Sequence, residues 1–259
     1  KLFNWTIKNP KLFWSSMWEY SKLKGIKKDK FYFPKEIIKS KFLVKSKLNY
    51  AENLLSKNDN SKAVTFISEN GYRKEKSWKE LTNNTLKIIN FLKEIKIKEK
   101  DRVVAYTANQ IETVEVFLAS SAIGAIWSSC SPDFGTQGVV ERFSQIRPKL
   151  LIITDRYYYN GKEINVLERL PTILKKIKSI KNVLIISYPG KKNLKQKKIK
   201  GIKIFYYNKL KDKKEKKIIF KKFDFDKELA ILYSSGTTGK PKCICHRAGG
   251  VLLQHIKEH

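Results

Sequence analysis

The chain has 259 residues, 41% of them hydrophobic, and a formal net charge of +31 from 55 Lys+Arg against 24 Asp+Glu. That length and apolar content support one large or two modest folded domains and exclude intrinsic disorder as the organising state. The charge does not by itself point to nucleic acid: only seven of the basic residues are Arg, the side chain that base and phosphate recognition favours, and the lysines run along the whole chain instead of gathering on one stripe.

Taken in chain order, Phe13, Trp14, Met17, Trp18 and Ser21 lie at helical spacing and predict a short helix with an aromatic face, more apt for docking onto a neighbouring part of the fold than for holding a ligand. Ala63–Ile67 reads as a strand. Ser77 followed by Glu80 is a capping box that opens a helix carrying Leu81, Leu86, Ile89, Phe91 and Leu92. Arg102–Tyr106 is the next strand; a helix over about 111–123 ends at Gly124, and Ala125–Trp127 begins another strand. The stretch from Ile111 to Trp127 is the longest apolar run, but it contains Glu112 and Glu115 and reads as a buried helix, not a membrane span.

Leu150–Thr154 and Asn182–Ser187 continue the alternation of strands and helices. This βαβ pattern predicts an α/β fold with a mostly parallel sheet covered on both faces, preceded by a small helical region at residues 1–52. Two lysine-rich stretches, 189–200 and 209–217, read as exposed loops. Residue 1 is Lys, and the chain stops inside a helix-like run, Val251–His259, so the sequence reads as part of a longer protein. Three cysteines are few for this length, which argues against a disulfide framework and suits a reducing cytoplasm. Cys243-x-Cys245 with His246 has the wrong spacing for the common zinc motifs, and no metal site is assigned. His246 itself reads equally as a substrate contact or a packed strand-end histidine.

The densest chemistry lies at Ser234-Ser235-Gly236-Thr237-Thr238-Gly239-Lys240-Pro241-Lys242, directly after the apolar run Leu229–Tyr233, which reads as a buried strand. Glycines let successive N–H groups converge on one point, hydroxyls add donors for phosphate oxygens, and lysines add mobile positive charge. Ligands of parallel sheets bind at the carboxyl ends of strands, where this loop falls. A P-loop is excluded, because Ser234 stands where its first Gly belongs and Pro241 where its magnesium-binding hydroxyl belongs.

The nine-residue loop instead resembles the phosphate-binding motif of the adenylate-forming superfamily, [Ser/Thr]-Ser-Gly-[Ser/Thr]-Thr-Gly-x-Pro-Lys, at every position. Further segments are similar to the acetoacetyl-CoA synthetase (acetoacetate–CoA ligase) branch of that superfamily: Lys47–Leu55, Trp127–Gly135, Arg142–Ile146 with Pro148–Leu150, and Tyr159–Glu163. The resemblance implies an acid–thiol ligase. The reaction it implies has two steps: acetoacetate would attack the α-phosphate of MgATP to give an acyl-adenylate and pyrophosphate, and CoA would then displace AMP.

It implies that residues 53–259 are the first part of a truncated adenylation domain, after an acetyl-CoA-synthetase-like region at 1–52. Ser234, Ser235, Gly236, Thr237, Thr238, Gly239 and Lys240 would hold the ATP phosphates. Lys242 would also neutralise charge moving to pyrophosphate, and Lys162 is the CoA candidate. The partners implied are acetoacetate, ATP, Mg2+ and CoA, with neither nucleic acid nor membrane.

The superfamily's adenine, magnesium and C-terminal lysine sites would lie beyond His259, so the chain alone is expected to be inactive. Alternatives are a ligase for acetate or propionate, or a non-catalytic nucleotide-binding remnant. Nothing in the sequence sets the oligomeric state.

Overall fold

The computed structural model describes residues 1–192, 194–212, 217–234 and 239–258. The chain opens with helices α1 (Leu2–Lys8) and α2 (Pro10–Tyr20), short strands β1 (Gly25–Ile26) and β2 (Lys47–Leu48), and helix α3 (Tyr50–Leu54). An antiparallel pair, β3 (Lys62–Ile67) and β4 (Arg73–Ser77), leads into α4 (Trp78–Glu94). Then come β5 (Arg102–Tyr106), α5 (Ile111–Ala122), β6 (Ile126–Cys130), α6 (Thr136–Phe143) and β7 (Leu150–Thr154). A second hairpin, β8 (Arg156–Tyr159) and β9 (Lys162–Asn165), precedes α7 (Leu170–Lys176), β10 (Asn182–Ile186), β11 (Lys203–Tyr206) and β12 (Phe223–Asp224). The chain closes on β13 (Glu228–Tyr233), β14 (Cys243–Arg247) and α8 (Ala248–Glu258).

Seven strands form the central sheet in the order β11-β10-β7-β5-β6-β13-β14. All neighbours are parallel except β13 and β14, which pair antiparallel. The α/β architecture read from the sequence is therefore present. Two details differ from that reading. Ala63–Ile67 does not join the parallel sheet; it pairs with β4, a lysine- and glutamate-bearing strand whose polar sequence hid it. The strand begun at Ala125–Trp127 runs on to Cys130, because Ser128 and Ser129 continue the ladder with Val104 and Ala105.

Helices cover both faces. α4 and α5 pack one side through Ile88, Leu92, Val116 and Ala119. On the other, α6 and α7 bury Val139, Phe143, Leu170 and Ile173. The start of α4 carries the predicted capping box: the Ser77 side chain accepts from the Glu80 amide, and Glu80 accepts from Ser77 N–H at 2.8 Å. α5 stops at Ala122, just short of Gly124, which has φ +74°.

The buried acids of α5 are neutralised across to the β3–β4 hairpin. Lys76 Nζ lies 2.6 Å from Glu115 Oε1, and Lys74 Nζ lies 2.7 Å from Glu112 Oε1. This pairing is why an apolar helix tolerates two glutamates facing inward.

The aromatic face of α2 docks as its spacing suggests. Trp18 packs at 6.4 Å from Phe225, and a third cluster joins Trp18, Leu43 and Leu48 to Leu229, Leu252 and Leu253. The antiparallel strip β1-β2-β12 ties the same first region to residues 223–224.

Candidate active site

Connections leaving β5 and β6 run to opposite faces of the sheet, since the first leads to α5 and the second to α6. Divergent connections of adjacent parallel strands open a crevice at their carboxyl ends. The 234–242 loop leaves β13, the neighbour of β6, at that same edge.

Its stems are described and its centre is not: Ser235, Gly236, Thr237 and Thr238 lie outside the described residues. Ser234 N–H donates to the Lys242 carbonyl at 3.1 Å, so the two stems meet. Gly239 has φ +93°, a backbone conformation that a side chain would strain. Pro241 is buried, while Lys240 and Lys242 are exposed, which suits mobile ammonium groups aimed at an anion from solvent.

The stems are held from the sheet and from α6. Ser128 Oγ donates to the Ile231 carbonyl at 2.7 Å and lies 3.2 Å from the Tyr233 hydroxyl. Burial pushes the Tyr233 phenol above its ordinary range, so it stays neutral. From the turn after α6, Gln145 Nε2 donates to the Pro241 carbonyl at 3.0 Å. Arg142 lies with its guanidinium 4.4 Å from the Phe134 ring and 6.0 Å from the Tyr233 ring.

The neighbouring loop, 131–135, is pinned in turn. The Tyr106 hydroxyl lies 2.5 Å from the Phe134 carbonyl oxygen, and Arg169 Nη1 donates to the Pro132 carbonyl at 2.8 Å. None of these holding residues carries a local sequence signal; the segment resemblance touched Ser128, Arg142 and Gln145, and it gave them no role.

Lys162 begins β9, in a hairpin that springs from the carboxyl end of β7. Asn160 and Gly161, with φ 50° and 72°, form the two-residue turn, and Tyr159 pairs with Lys162 across it. β7 stands three positions from β13 in the sheet, so the two roots are roughly 14 Å apart at a spacing of about 4.8 Å per strand. The Lys162 hairpin and the 234–242 loop thus rise from the same edge without touching at their bases.

On the other side of β13, a cavity of ≈ 670 Å³ is lined by Tyr50, Phe117, Trp127, Leu232, Cys245 and His255, among others. His246 lines it too, half-buried, opposite Ala230. Cys243 and Cys245 lie on a strand as read, but exposed. Desolvation pushes both thiols up, away from the thiolate form that metal binding needs. The Leu229–Tyr233 run is a strand but not a buried one. Only Leu229 is buried, and Leu232 is 45% exposed, because that face opens into the cavity.

The family model for AMP-binding enzymes matches residues 53–258. The chain belongs to the AMP-binding enzyme family. Among curated relatives of this family member, the acetoacetyl-coenzyme A synthetase of Rhizobium meliloti (strain 1021) is 37% identical over 99% of the chain, and that of Gallus gallus is 37% identical over all of it. A malonamoyl-CoA synthetase of Penicillium aethiopicum is 32% identical over the whole chain. Among solved structures, acetoacetyl-CoA synthetase from Streptomyces lividans superposes with a TM-score of 0.87 at 27% identity and covers 98% of the chain. The chain spans 39–40% of the length of these acetoacetyl-CoA synthetases. Among the described residues, no helix is long and apolar enough to cross a membrane.

Proposed function

We propose that the whole protein is an acid–thiol ligase that activates acetoacetate with ATP through an acyl-adenylate and passes the acyl group to CoA, in the cytoplasm. The observation that carries this reading is similarity along the full chain to acetoacetyl-CoA synthetases of bacteria and vertebrates. Residues 1–52 form the helical region of this proposal and 53–259 the first part of the adenylation domain. The start of the family match at residue 53 supports that division.

In this reading, Ser234, Ser235, Gly236, Thr237, Thr238, Gly239 and Lys240 bind the ATP phosphates. Their donor set suits an anion: hydroxyls, chain amides and an exposed ammonium group that needs little desolvation to reach a phosphate. Lys242 supplies fixed-stem positive charge as charge shifts to pyrophosphate, and catalysis of this step is mainly positioning and electrostatics. Lys162, exposed at its hairpin turn, is the candidate contact for a phosphate of CoA.

Magnesium would neutralise the triphosphate. The described residues contain no group of three or more His, Cys, Asp or Glu side chains placed to hold a metal, so no ligand is assigned here. The relative acting on malonamate by name keeps a second acid within the same chemistry, and acetate and propionate are tested with it.

The test is acid-dependent ATP–pyrophosphate exchange by the complete protein, with acetoacetate, acetate, propionate and malonamate compared. Exchange is expected with acetoacetate, falling on the order of 10²-fold in Lys242→Ala and in Thr238→Ala, and absent from residues 1–259 alone. Exchange with a different acid only would retain the chemistry and replace the substrate. No exchange with any acid would overturn the ligase reading in favour of a nucleotide-binding remnant.

A further inference from the structure

Helix α6 and the turn Ser144–Ile146 belong to the second of the two strand connections that build the crevice, the one leaving β6. From that turn, the Gln145 side chain makes three contacts. Nε2 donates to the Pro241 carbonyl at 3.0 Å and to the Glu141 carbonyl at 2.9 Å, and Oε1 accepts from Cys243 Sγ at 3.7 Å. Two of the three grip the residues on either side of Lys242. The third ties the amide to its own helix, which fixes the direction from which it reaches. One turn earlier, Arg142 donates to the Gly138 carbonyl at 2.9 Å and stacks on Phe134 of the neighbouring loop.

We propose that Gln145 is a positioning residue for Lys242, and that helix α6 makes the stem of the 234–242 loop and the 131–135 loop a single rigid edge. The inference rests on the assignment of Lys242 to the ATP phosphates. A lysine on a free stem spends most of its time in solvent, since its four-carbon arm carries much rotamer freedom. Holding the Pro241 backbone carbonyl on one side of residue 242 and the Cys243 side chain on the other confines the arc its ammonium group sweeps. The gain appears in how firmly the ATP phosphates are held, not in the stability of the fold, because Gln145 is itself exposed and buries little.

The test uses the complete protein and Gln145→Ala. Loss of one hydrogen-bonded anchor, about a fivefold effect, is expected to raise the KM for ATP about fivefold. The KM for the acid and the melting temperature should stay unchanged. In a Lys242→Ala background the same substitution is expected to add nothing, because the two residues act in series. Independently of turnover, deuterium exchange at 239–247 is expected to quicken in Gln145→Ala while β7 and β10 keep their protection.

Unchanged exchange at 239–247 would overturn the proposal, as would an unchanged KM for ATP or full additivity with Lys242→Ala in an active enzyme. If the wild type shows no pyrophosphate exchange with any acid, the ligase reading falls, and the deuterium measurement alone decides whether Gln145 holds the stem.

Discussion

Strands β7 and β13 carry similar apolar sequences, Leu-Leu-Ile-Ile-Thr and Leu-Ala-Ile-Leu-Tyr, and meet opposite fates. Every residue of β7 is buried, with Leu150 and Ile152 facing the α4–α5 layer and Leu151 and Ile153 facing the α6–α7 layer. In β13 only Leu229 is buried. The difference lies in the neighbours: β7 sits between β5 and β10 under helices on both faces, while β13 abuts the antiparallel edge strand β14 and one of its faces lines the cavity. An apolar run therefore specifies a strand, and the layers packed over it specify its burial. The 234–242 loop grows from the open half of the sheet, next to the closed half that fixes its direction.

The contrast can be broken most directly by truncation on each side. Ile152→Ala in β7 is expected to cost about 4 kcal/mol, since its cavity cannot collapse between two helical layers. Leu232→Ala in β13 is expected to cost under about 0.5 kcal/mol. Chemical denaturation of both variants of the complete protein measures the gap. Equal costs would mean that other parts of the protein close the β13 face as tightly as β7.

A second variant asks how far the closed half depends on polar closure. Among the described residues, Lys76→Met leaves Glu115, which is fully buried, with the hydrogen bond from Asn84 at 2.9 Å and its contact to the Tyr207 hydroxyl. Burial already pushes the Glu115 carboxyl up, opposed by Lys76, so removing the lysine favours its protonated form. The expected cost is about 3 kcal/mol, recovered in large part by adding Glu115→Leu. Thermal unfolding of the single and double variants checks it.

The smallest effect belongs to the exposed rim of the same hairpin. Lys62 and Arg73 hold the Glu75 carboxyl down at about 2. A depressed carboxylate pKa contributes stability above its unfolded value, near 4.5, and loses it as pH falls towards 2. Amide exchange of β3 and β4 should therefore quicken over that window, less so in high salt, with β7 unaffected.

Much of this organisation was legible in the sequence because it is local. Ser77 and Glu80 announce a helix start within four residues, and the apolar run Leu229–Tyr233 announces the strand from which the 234–242 loop leaves. What was hidden is long-range. Lys76 carries no signal in its charged run until Glu115, some forty residues on, supplies the buried partner. Gln145 has no motif at all; its meaning comes from Pro241 and Cys243, which the chain brings back after nearly a hundred residues. Leu232 looked like core because an apolar letter reports preference and not cover.

The hydrogen bond from Ser234 to Lys242 has a consequence for how this loop can change. It pins the two stems together, so residues 235–241 are a closed ring grafted on the sheet. Lengthening such a ring is cheap, about 0.6 kcal/mol for each doubling, and among the described residues Gly239 and Lys240 are exposed and join no hydrophobic cluster. The ring is a replaceable part. Substitution or insertion at 235–240 can change its donor set while the scaffold beneath it keeps its shape, since the anchored positions are Ser234, Pro241 and Lys242.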